Sequence, residues 1–360
     1  MFNEMKKYRV IGLMSGSSLD GVDLVYSEFF YDTKWHYNII AAETYAYSKE
    51  WIITLTQMPN QTGSKLIEAD INYGKYLGNL INEFISINNL KPNIISSHGH
   101  TIFHNPDLGY TFQLGNGQTI AATTGIKTIC DFRIGDIQLG GQGAPLVPIG
   151  DSLLFSEYDF CINIGGIANI SFNDSNHRIA FDICPANQLL NHLSRQIGKP
   201  YDENGNLAQL GKMDNQLFTS LNNHPYYLLP HPKSMSNQLV TNTFIKIIDE
   251  SKANLEDKLY TVCKHIAFQI NNATKKHKRN KLLITGGGAH NNFLITAISN
   301  ELQVDIPLTD RIIIDFKEAL IFAFMGVLRL ENRVNCLASA TGAIKDSSSG
   351  VIFTSSALSK

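Results

Sequence analysis

The sequence predicts an α/β protein built from two related lobes. A strand, a glycine-rich turn, two further strands and a helix occur in that order from residue 8, and again from residue 159. The composition of 43% hydrophobic and 17% charged residues lets this chain of 360 residues bury a sizeable core. Its apolar runs are far shorter than the roughly 20 residues that cross a bilayer. These observations favour two globular lobes over a disordered or membrane-spanning chain.

The first lobe is predicted to open with a three-stranded meander, followed by helices. Alternating and continuous apolar runs indicate strands, and apolar residues at spacings of three and four indicate helices. The predicted strands are 8–14, 22–30, 35–47 and 93–97, and the predicted helices are 49–58 and 64–90.

The second lobe repeats the meander and continues into longer helices. Its predicted strands are 159–166, 167–172, 178–182 and 281–285, and its helices begin near 186 and 291 and span 239–275 and 316–330. An edge strand is predicted from residue 351. We place one lobe at residues 1–130 with about 340–360, and the other at 131–339.

Charge and cysteine usage limit the classes of partner and compartment. The net charge of −2 gives no basic excess that would attract nucleic acid or an anionic membrane. The five cysteines are odd in number, widely spaced and without a CxxC pair, so reduced thiols in a cytoplasmic protein are expected. The N-terminus lacks a long apolar stretch with a small-residue cleavage site, so no secretion signal is indicated.

Three predicted strands end in glycine-rich turns, at Gly12–Gly21, Gly165–Gly166 and Gly286–Gly288. Such turns expose backbone N–H groups and let an anion approach closely. We therefore expect two of them to bind a polyphosphate and the third to lie at the nucleoside. Asp20 and Asp23 could hold a divalent metal, directly or through water.

Several polar side chains at strand ends are candidates for chemistry. Arg133 could bind a substrate carboxylate, or form an ion pair with Asp131 or Asp136. Asp182 could be a general base, or the N-cap of the next helix. Glu318 could be catalytic, or an acid favoured by the helix dipole at the start of an apolar helix. The histidines of the Ser97–His104 run could make local hydrogen bonds, and their spacing is weak evidence for zinc.

Eight motifs follow one another at residues 11–23, 97–104, 131–133 with 140–148, 163–170, 181–187, 201–205, 286–291 and 341–343. In this order they resemble the anhydro-N-acetylmuramic acid kinase family of the actin, Hsp70 and hexokinase superfamily. The GLMSGSSLDGVD and GGQGAPLVP runs are specific to this family within the superfamily. The resemblance implies a two-lobed fold of duplicated, ribonuclease H-like domains, with a nucleotide cleft between the lobes.

The resemblance also implies an activity. The enzyme would open the anhydro bridge of 1,6-anhydro-N-acetylmuramic acid with water and phosphorylate O6 with ATP and Mg²⁺. The products would be N-acetylmuramic acid 6-phosphate and ADP, in peptidoglycan recycling. The family forms homodimers, so a homodimer is expected here, with ATP and a small sugar as the ligands.

Individual residues match the functional positions of the family. Asp182 matches the general base that activates water. The nucleotide-binding positions implied are Gly16, Ser17, Ser18, Leu19, Asp20, Gly21, Val22, Asp23, Gly165, Gly166, Gly286, Gly287 and Gly288. The sugar-binding positions implied are His98, His100, Thr101, Arg133, Asn187 and Glu318.

The chain departs from the family pattern at three places. Ser17 replaces the usual Thr and keeps the hydroxyl, and His100 stands where Gln is commoner. Ile183 and Cys184 replace the usual Thr-Gly after Asp182, and we expect the lost glycine to crowd a phosphate or sugar contact. A kinase of another anhydro- or amino-sugar is therefore one alternative. A non-enzymatic nucleotide-dependent clamp is the other.

Overall fold

The computed structural model of the protein describes residues 6–16, 19–175, 177–277, 281–307 and 309–355. The chain divides into two compact units. Unit 1 runs up to Leu154 and resumes at Phe316, and unit 2 is Phe155–Asp315. The predicted lobes were divided instead near residues 130 and 340. The difference arises because residues 131–154 pack with the C-terminal region: Asp136 accepts a hydrogen bond from Thr341, and Gly150 lies against Ile321.

The elements follow one another in this order. Up to Leu154 they are β1 (Lys7–Met14), β2 (Gly21–Tyr31), β3 (Trp35–Ala46), α1 (Lys49–Gln57), α2 (Gly63–Asn88), β4 (Ile94–Ser97), β5 (His100–Asn105), β6 (Tyr110–Leu114), α3 (Gly117–Thr124), β7 (Thr128–Cys130), α4 (Phe132–Gln138) and α5 (Pro148–Leu154). Unit 2 holds β8 (Phe160–Ile164), β9 (Ile167–Asp174), β10 (His177–Pro185), α6 (Asn187–Arg195), α7 (Asn215–Asn222), α8 (Asn237–Leu239), α9 (Lys246–Glu250), α10 (Leu255–Thr274), β11 (Leu282–Thr285) and α11 (Asn292–Leu302). The last elements are α12 (Arg311–Leu330), α13 (Ala338–Thr341) and β12 (Val351–Phe353).

The sheet of unit 1 has six strands in the order β12-β7-β4-β1-β2-β3. The meander β1-β2-β3 is antiparallel, whereas β4 runs parallel to β1 and β7 runs parallel to β4. β5 and β6 form a separate hairpin, which the sequence analysis did not predict. A parallel neighbour requires a crossover, and α1 and α2 supply it between β3 and β4.

The sheet of unit 2 repeats that plan. Its order is β10-β9-β8-β11, in which β8, β9 and β10 form an antiparallel meander and β11 runs parallel to β8. The order corresponds strand for strand to β3-β2-β1-β4 of unit 1. The predicted duplication of the α/β plan is therefore confirmed.

A close approach between a strand and a helix fixes the centre of unit 1. A Cβ on Gly12 of β1 would overlap the Ala319 carbonyl oxygen of α12 and lie 2.7 Å from the Cβ of Ala323. Only glycine allows the helix to pack this closely on the strand. The helix also begins at Arg311, five residues earlier than predicted. Among the described residues, no helix is both long and apolar enough to span a membrane.

Candidate active site

The first glycine-rich turn joins β1 to β2, where Met14 pairs with Asp23. Gly21 is required there, because a Cβ would overlap the Tyr45 carbonyl oxygen of β3. Asp20 is exposed, and Asp23 accepts a hydrogen bond from Thr44 at 2.7 Å.

The other predicted residues of this turn differ in exposure. Gly16 and Leu19 are half-buried, and the side chain of Val22 lies in the core of unit 1. Ser17 and Ser18 lie outside the described residues.

A chain of buried polar groups anchors this turn. The Ser15 hydroxyl is 2.8 Å from His100 Nδ1 and 2.5 Å from the Tyr47 hydroxyl, which is 2.5 Å from the Tyr73 hydroxyl. The Tyr47 amide also donates to the Asp20 carbonyl. Tyr47 therefore binds both ends of the turn. Burial lowers the pKa of His100 to about 4, so its ring is neutral at physiological pH.

His98 and Arg133 form a second buried group in unit 1. Arg133 Nε donates to His98 Nε2 at 2.9 Å, and its Nη1 donates to the Gly143 carbonyl at 2.8 Å. His98 Nδ1 is 2.8 Å from the Gly99 carbonyl oxygen, so the neutral Nδ1–H tautomer satisfies both contacts. Burial, with the Arg133 charge, holds the pKa of His98 well below its ordinary value. Arg133 is thus held by His98 and Gly143, and the alternative of an ion pair with Asp131 or Asp136 was wrong.

Asp136 organises the glycine-rich loop that Arg133 contacts. Its carboxylate accepts from the Gly143 amide at 2.8 Å and from the Thr341 hydroxyl at 2.7 Å. A Cβ on Gly141 would overlap this carboxylate. The loop at 139–148 is therefore joined to the motif at 341–343, a contact that the sequence analysis did not foresee.

Glu318 lies in the interior of α12. It is the eighth residue of that helix, so the alternative of a helix-dipole acid in the first turn was wrong. Burial raises the pKa of Glu318, and the charges of Asp23 and Asp151 raise it further. The cations of Lys317 and Arg133 oppose that shift. Glu318 and Arg133 therefore interact electrostatically within unit 1.

Thr101 lies on the β5–β6 hairpin, where its hydroxyl is 3.4 Å from Gln113 Nε2. Among the residues that the structure describes, no group of three or more His, Cys, Asp or Glu side chains is arranged to hold a metal ion. The histidines of the Ser97–His104 run instead make hydrogen bonds. Those of His98 to Gly99 and of His104 to Thr111 are local, whereas His100 bonds to the distant Ser15.

The other two glycine turns come together in unit 2. They follow β8 and β11, which are parallel neighbours, so both turns lie at the same edge of the sheet. Gly286, with φ of 81°, lies against Asn163 and the Ile164 carbonyl, and a Cβ there would overlap the Asn163 side chain. Asn187, the first residue of α6, donates from its side chain to Ile164 O at 3.0 Å. Gly166 and Gly287 are exposed, whereas Gly165 is half-buried and Gly288 is buried.

Asp182 lies on β10 at a β-bulge between residues 182 and 184. Its Oδ2 accepts from the Met235 amide at 2.8 Å. The first position of α6 is preceded by Ala186, which has no side-chain capping bond, so the alternative of Asp182 as an N-cap was wrong. Burial raises the pKa of Asp182 to about 6, and the Met235 amide opposes this shift. The carboxylate is mostly ionised at neutral pH and able to accept a proton.

Ile183 and Cys184 point into the hydrophobic core of unit 2, where they are 3% and 0% exposed. The same core cluster contains Leu189, Leu259 and Cys263. The departure from the family pattern therefore changes core packing next to Asp182. The expectation that the lost glycine crowds a phosphate or sugar contact stays a prediction, and the burial of the Cys184 side chain in the core argues against it.

Within unit 1, the structure brings together His98, Arg133 and Glu318, and it joins His100 to the first glycine turn through Ser15. Within unit 2, it brings together Asn187, Gly165 and Gly286–Gly288. Sequence reasoning missed Tyr47, which bonds to Ser15 and to the Asp20 carbonyl, and Met235, whose amide donates to Asp182.

Known proteins match the chain over nearly its full length. The family model for anhydro-N-acetylmuramic acid kinase matches residues 8–355. A Haemophilus influenzae protein of that name is 33% identical over 383 residues, covering 97% of this chain and 98% of the relative. Another from Aliivibrio fischeri is 35% identical over 375 residues, covering 97% and 99%. The chain therefore belongs to the anhydro-N-acetylmuramic acid kinase family, whose members are phosphotransferases with an alcohol group as acceptor.

Proposed function

We propose that this protein uses ATP and water to convert 1,6-anhydro-N-acetylmuramic acid into N-acetylmuramic acid 6-phosphate and ADP. Membership of the family supports the reaction class. The observation that carries the proposed mechanism is Asp182, a half-buried carboxylate with a pKa raised to about 6 and one oxygen held by a backbone amide. Such a group is ionised at pH 7 and basic enough to take a proton from water.

In the proposed step, Asp182 accepts a proton from water as the water oxygen bonds to C1 of the sugar. The C1–O6 bond breaks, and O6 attacks the γ-phosphorus of ATP. The bond from that phosphorus to the β,γ-bridging oxygen then breaks, which releases ADP. The electron pair of each broken bond stays on oxygen, and the proton stays on Asp182 until it is lost to solvent. Positioning and charge stabilisation supply most of the catalysis in phosphoryl transfer.

The proposed nucleotide contacts use backbone N–H groups of the glycine turns. The first turn, Gly16–Asp23 with Ser17 and Ser18, would bind the phosphates. Gly165–Gly166 would also bind phosphate, and Gly286–Gly288 would lie at the adenosine. The support is the exposure of Gly166 and Gly287 and the absence of a Cβ at each of these glycines.

The first turn supplies the kind of ligands that magnesium prefers. Mg²⁺ is usually held by one or two carboxylates together with substrate phosphates and water. Asp20 and Asp23 lie on either side of Gly21 and Val22 and supply two carboxylates of this kind. They would hold the ion directly or through water, and the ion would neutralise charge on the phosphates.

The sugar contacts proposed from unit 1 are His98, His100, Thr101, Arg133 and Glu318. Arg133 is the group best suited to the lactyl carboxylate, because its guanidinium stays charged with a pKa of about 10 and is oriented by two hydrogen bonds. Asn187, whose side chain donates a hydrogen bond to Ile164 O, is also proposed as a sugar contact.

We further propose that the protein is a cytoplasmic homodimer that acts in peptidoglycan recycling. All five cysteines are buried thiols, which is compatible with a reducing compartment. Ile183 and Cys184 lie in the core, so these two departures do not favour a different acceptor sugar.

Coupled ADP release and the mass of the product test the proposal together. ADP release is expected only when the anhydro-sugar is present, and the product should weigh one phosphoryl group and one water more than the substrate. A product that has gained the phosphoryl group without water would contradict ring opening. ATP hydrolysis at full rate without sugar would indicate the clamp.

A further inference from the structure

The segment that follows α7 makes three hydrogen bonds to Asp182. The Asp182 amide donates to the Lys233 carbonyl at 3.0 Å, and Oδ2 accepts from the Met235 amide at 2.8 Å. The Asp182 carbonyl accepts from the Tyr226 hydroxyl at 2.7 Å. The bulge between residues 182 and 184 shifts the pairing of β10 with β9 at this residue, so the segment holds the main chain where the strand register is broken.

Tyr226 is the only one of these partners that acts through its side chain. Its ring is buried, with 4% of its surface exposed, and its hydroxyl is directed at the Asp182 backbone. Lys233 lies over the ring, with Nζ 4.6 Å from the centroid, and donates to the Tyr226 carbonyl at 3.2 Å. Lys233 therefore covers one face of the ring that carries the hydroxyl and also holds its backbone.

We propose that Tyr226 is a positioning residue for Asp182, and that its hydroxyl holds the bulged backbone so that the carboxylate meets the Met235 amide. This inference rests on the proposed function of Asp182 as the base. Loss of the hydroxyl leaves a half-buried carbonyl without its partner, and the backbone shifts to recover one. A displacement of about 1 Å at a reacting group can lower a rate by roughly 10²-fold.

Tyr226→Phe tests this role, and Tyr227→Phe is its matched control. Tyr227 is the next residue, and its hydroxyl is 3.1 Å from His265 Nε2, away from Asp182. We expect Tyr226→Phe to lower kcat about 10- to 100-fold, with the KM values for ATP and sugar within about threefold of wild type. Tyr227→Phe should leave kcat within about threefold. Equal kcat values for wild type and Tyr226→Phe would overturn the inference, and so would an equal fall in both variants.

Amide hydrogen exchange at Met235 gives a readout that does not depend on turnover. If the hydroxyl aligns Asp182, the Met235 amide should exchange faster in Tyr226→Phe than in wild type. In Tyr227→Phe it should exchange at the wild-type rate. Unchanged protection in Tyr226→Phe would overturn the inference. If the wild type does not act on the anhydro-sugar, the proposed function fails, and the exchange experiment still decides whether Tyr226 positions Asp182.

Discussion

His98 Nε2 accepts a hydrogen bond from Arg133 Nε at 2.9 Å, and both groups lie inside unit 1. The contact defines the histidine as neutral, because a protonated ring would place two donors against each other. It also directs the guanidinium, whose Nη1 is bonded to the Gly143 carbonyl. A histidine that resembles a metal ligand or an acid–base group in the sequence therefore serves as an acceptor for an arginine.

His98→Ala removes that acceptor and leaves a charged donor buried without its partner. We expect the KM for the sugar to rise about 10- to 100-fold, which corresponds to the roughly 1.5–3 kcal/mol of a hydrogen bond to a charged group. His98→Gln, which keeps an acceptor, should recover part of the loss. His104→Ala is the control, because His104 is exposed. An unchanged sugar KM in folded His98→Ala would remove His98 from the site.

Gly12→Ala is expected to destabilise unit 1. The new methyl group would overlap the Ala319 carbonyl of α12, and overpacking of this kind costs about 1–3 kcal/mol or more. Gly63→Ala is the matched control, because nothing lies within 4 Å of its Cβ position at the start of α2. It should be neutral or stabilising by up to about 1 kcal/mol. Urea unfolding measures both, and equal stabilities would contradict the packing described.

Gly286→Ala is expected to weaken ATP binding. Its φ of 81° disfavours a side chain, and the methyl group would displace Asn163 beside the glycine turns. Gly198→Ala is matched for backbone strain, since its φ is 76°, but nothing lies within 4 Å of its Cβ. Calorimetry should show a loss of about 10-fold or more in affinity for Gly286→Ala only. A similar loss of ATP affinity in both variants would show that backbone strain in unit 2, and not the displacement of Asn163, weakens binding.

The burial of His265 predicts that the stability of the wild-type protein, compared with a variant that lacks this histidine, depends on pH. It is fully buried between Asn222 and Tyr227, and burial lowers its pKa to about 3. Below pH 6.5 the unfolded chain takes up a proton that the folded protein does not, so this group makes folding less favourable as the pH falls. The cost is about 1.4 kcal/mol per pH unit.

His265→Gln lacks that group, so its stability deficit relative to wild type should shrink by about 1.6 kcal/mol between pH 6.5 and 5. Between pH 6.5 and 8 the deficit should change by less than about 0.5 kcal/mol, which is the internal control. Urea unfolding at each pH measures the difference. A deficit that widens towards pH 5 would show that His265 is protonated in the folded protein.

The repeated plan of the two sheets could be predicted because strand periodicity and glycine turns are local signals. The meander at 8–47 and its counterpart from 159 were both confirmed. The hairpin β5–β6 was missed, because its residues include histidines and a bulge that interrupt alternation. The helix predicted over 239–275 is interrupted, with α9 ending at Glu250 and α10 beginning at Leu255. Asn254 caps α10, a cap that the apolar periodicity conceals.

The candidate residues could be named from motifs, whereas the residues that hydrogen-bond to them could not. Asp136 and Thr341 are 205 residues apart, and Asp182 and Met235 are 53 apart. Contacts between residues so distant in the chain leave no spacing that a single sequence reveals. The core location of Cys184 was also beyond the sequence, because the bulge at 182–184 changes which side chains face inward.

The pKa of Asp182 predicts where activity falls on the acidic side of the pH–rate profile. Its pKa of about 6 means that the base is lost by protonation below that pH, so kcat/KM should fall about tenfold per pH unit there. The pH dependence that Asp182 gives to folding stability is opposite to the one that His265 gives. Between the ordinary value of 3.8 and about 6, the folded state retains a proton that the unfolded state releases, so Asp182 disfavours folding as pH rises through this window. A flat profile from pH 5 to 7 would contradict the assignment of Asp182 as the base.

The rate of sugar-dependent ADP release in wild type and Asp182→Asn, at pH 7.5 with ATP, Mg²⁺ and 1,6-anhydro-N-acetylmuramic acid, tests the central claim most directly. The variant keeps the shape of the side chain and should be at least as stable, since it removes a half-buried charge. We predict that the rate falls by about 10²–10⁴-fold or more while ATP still binds. Sugar-dependent ADP release by Asp182→Asn at the wild-type rate would contradict the proposed mechanism.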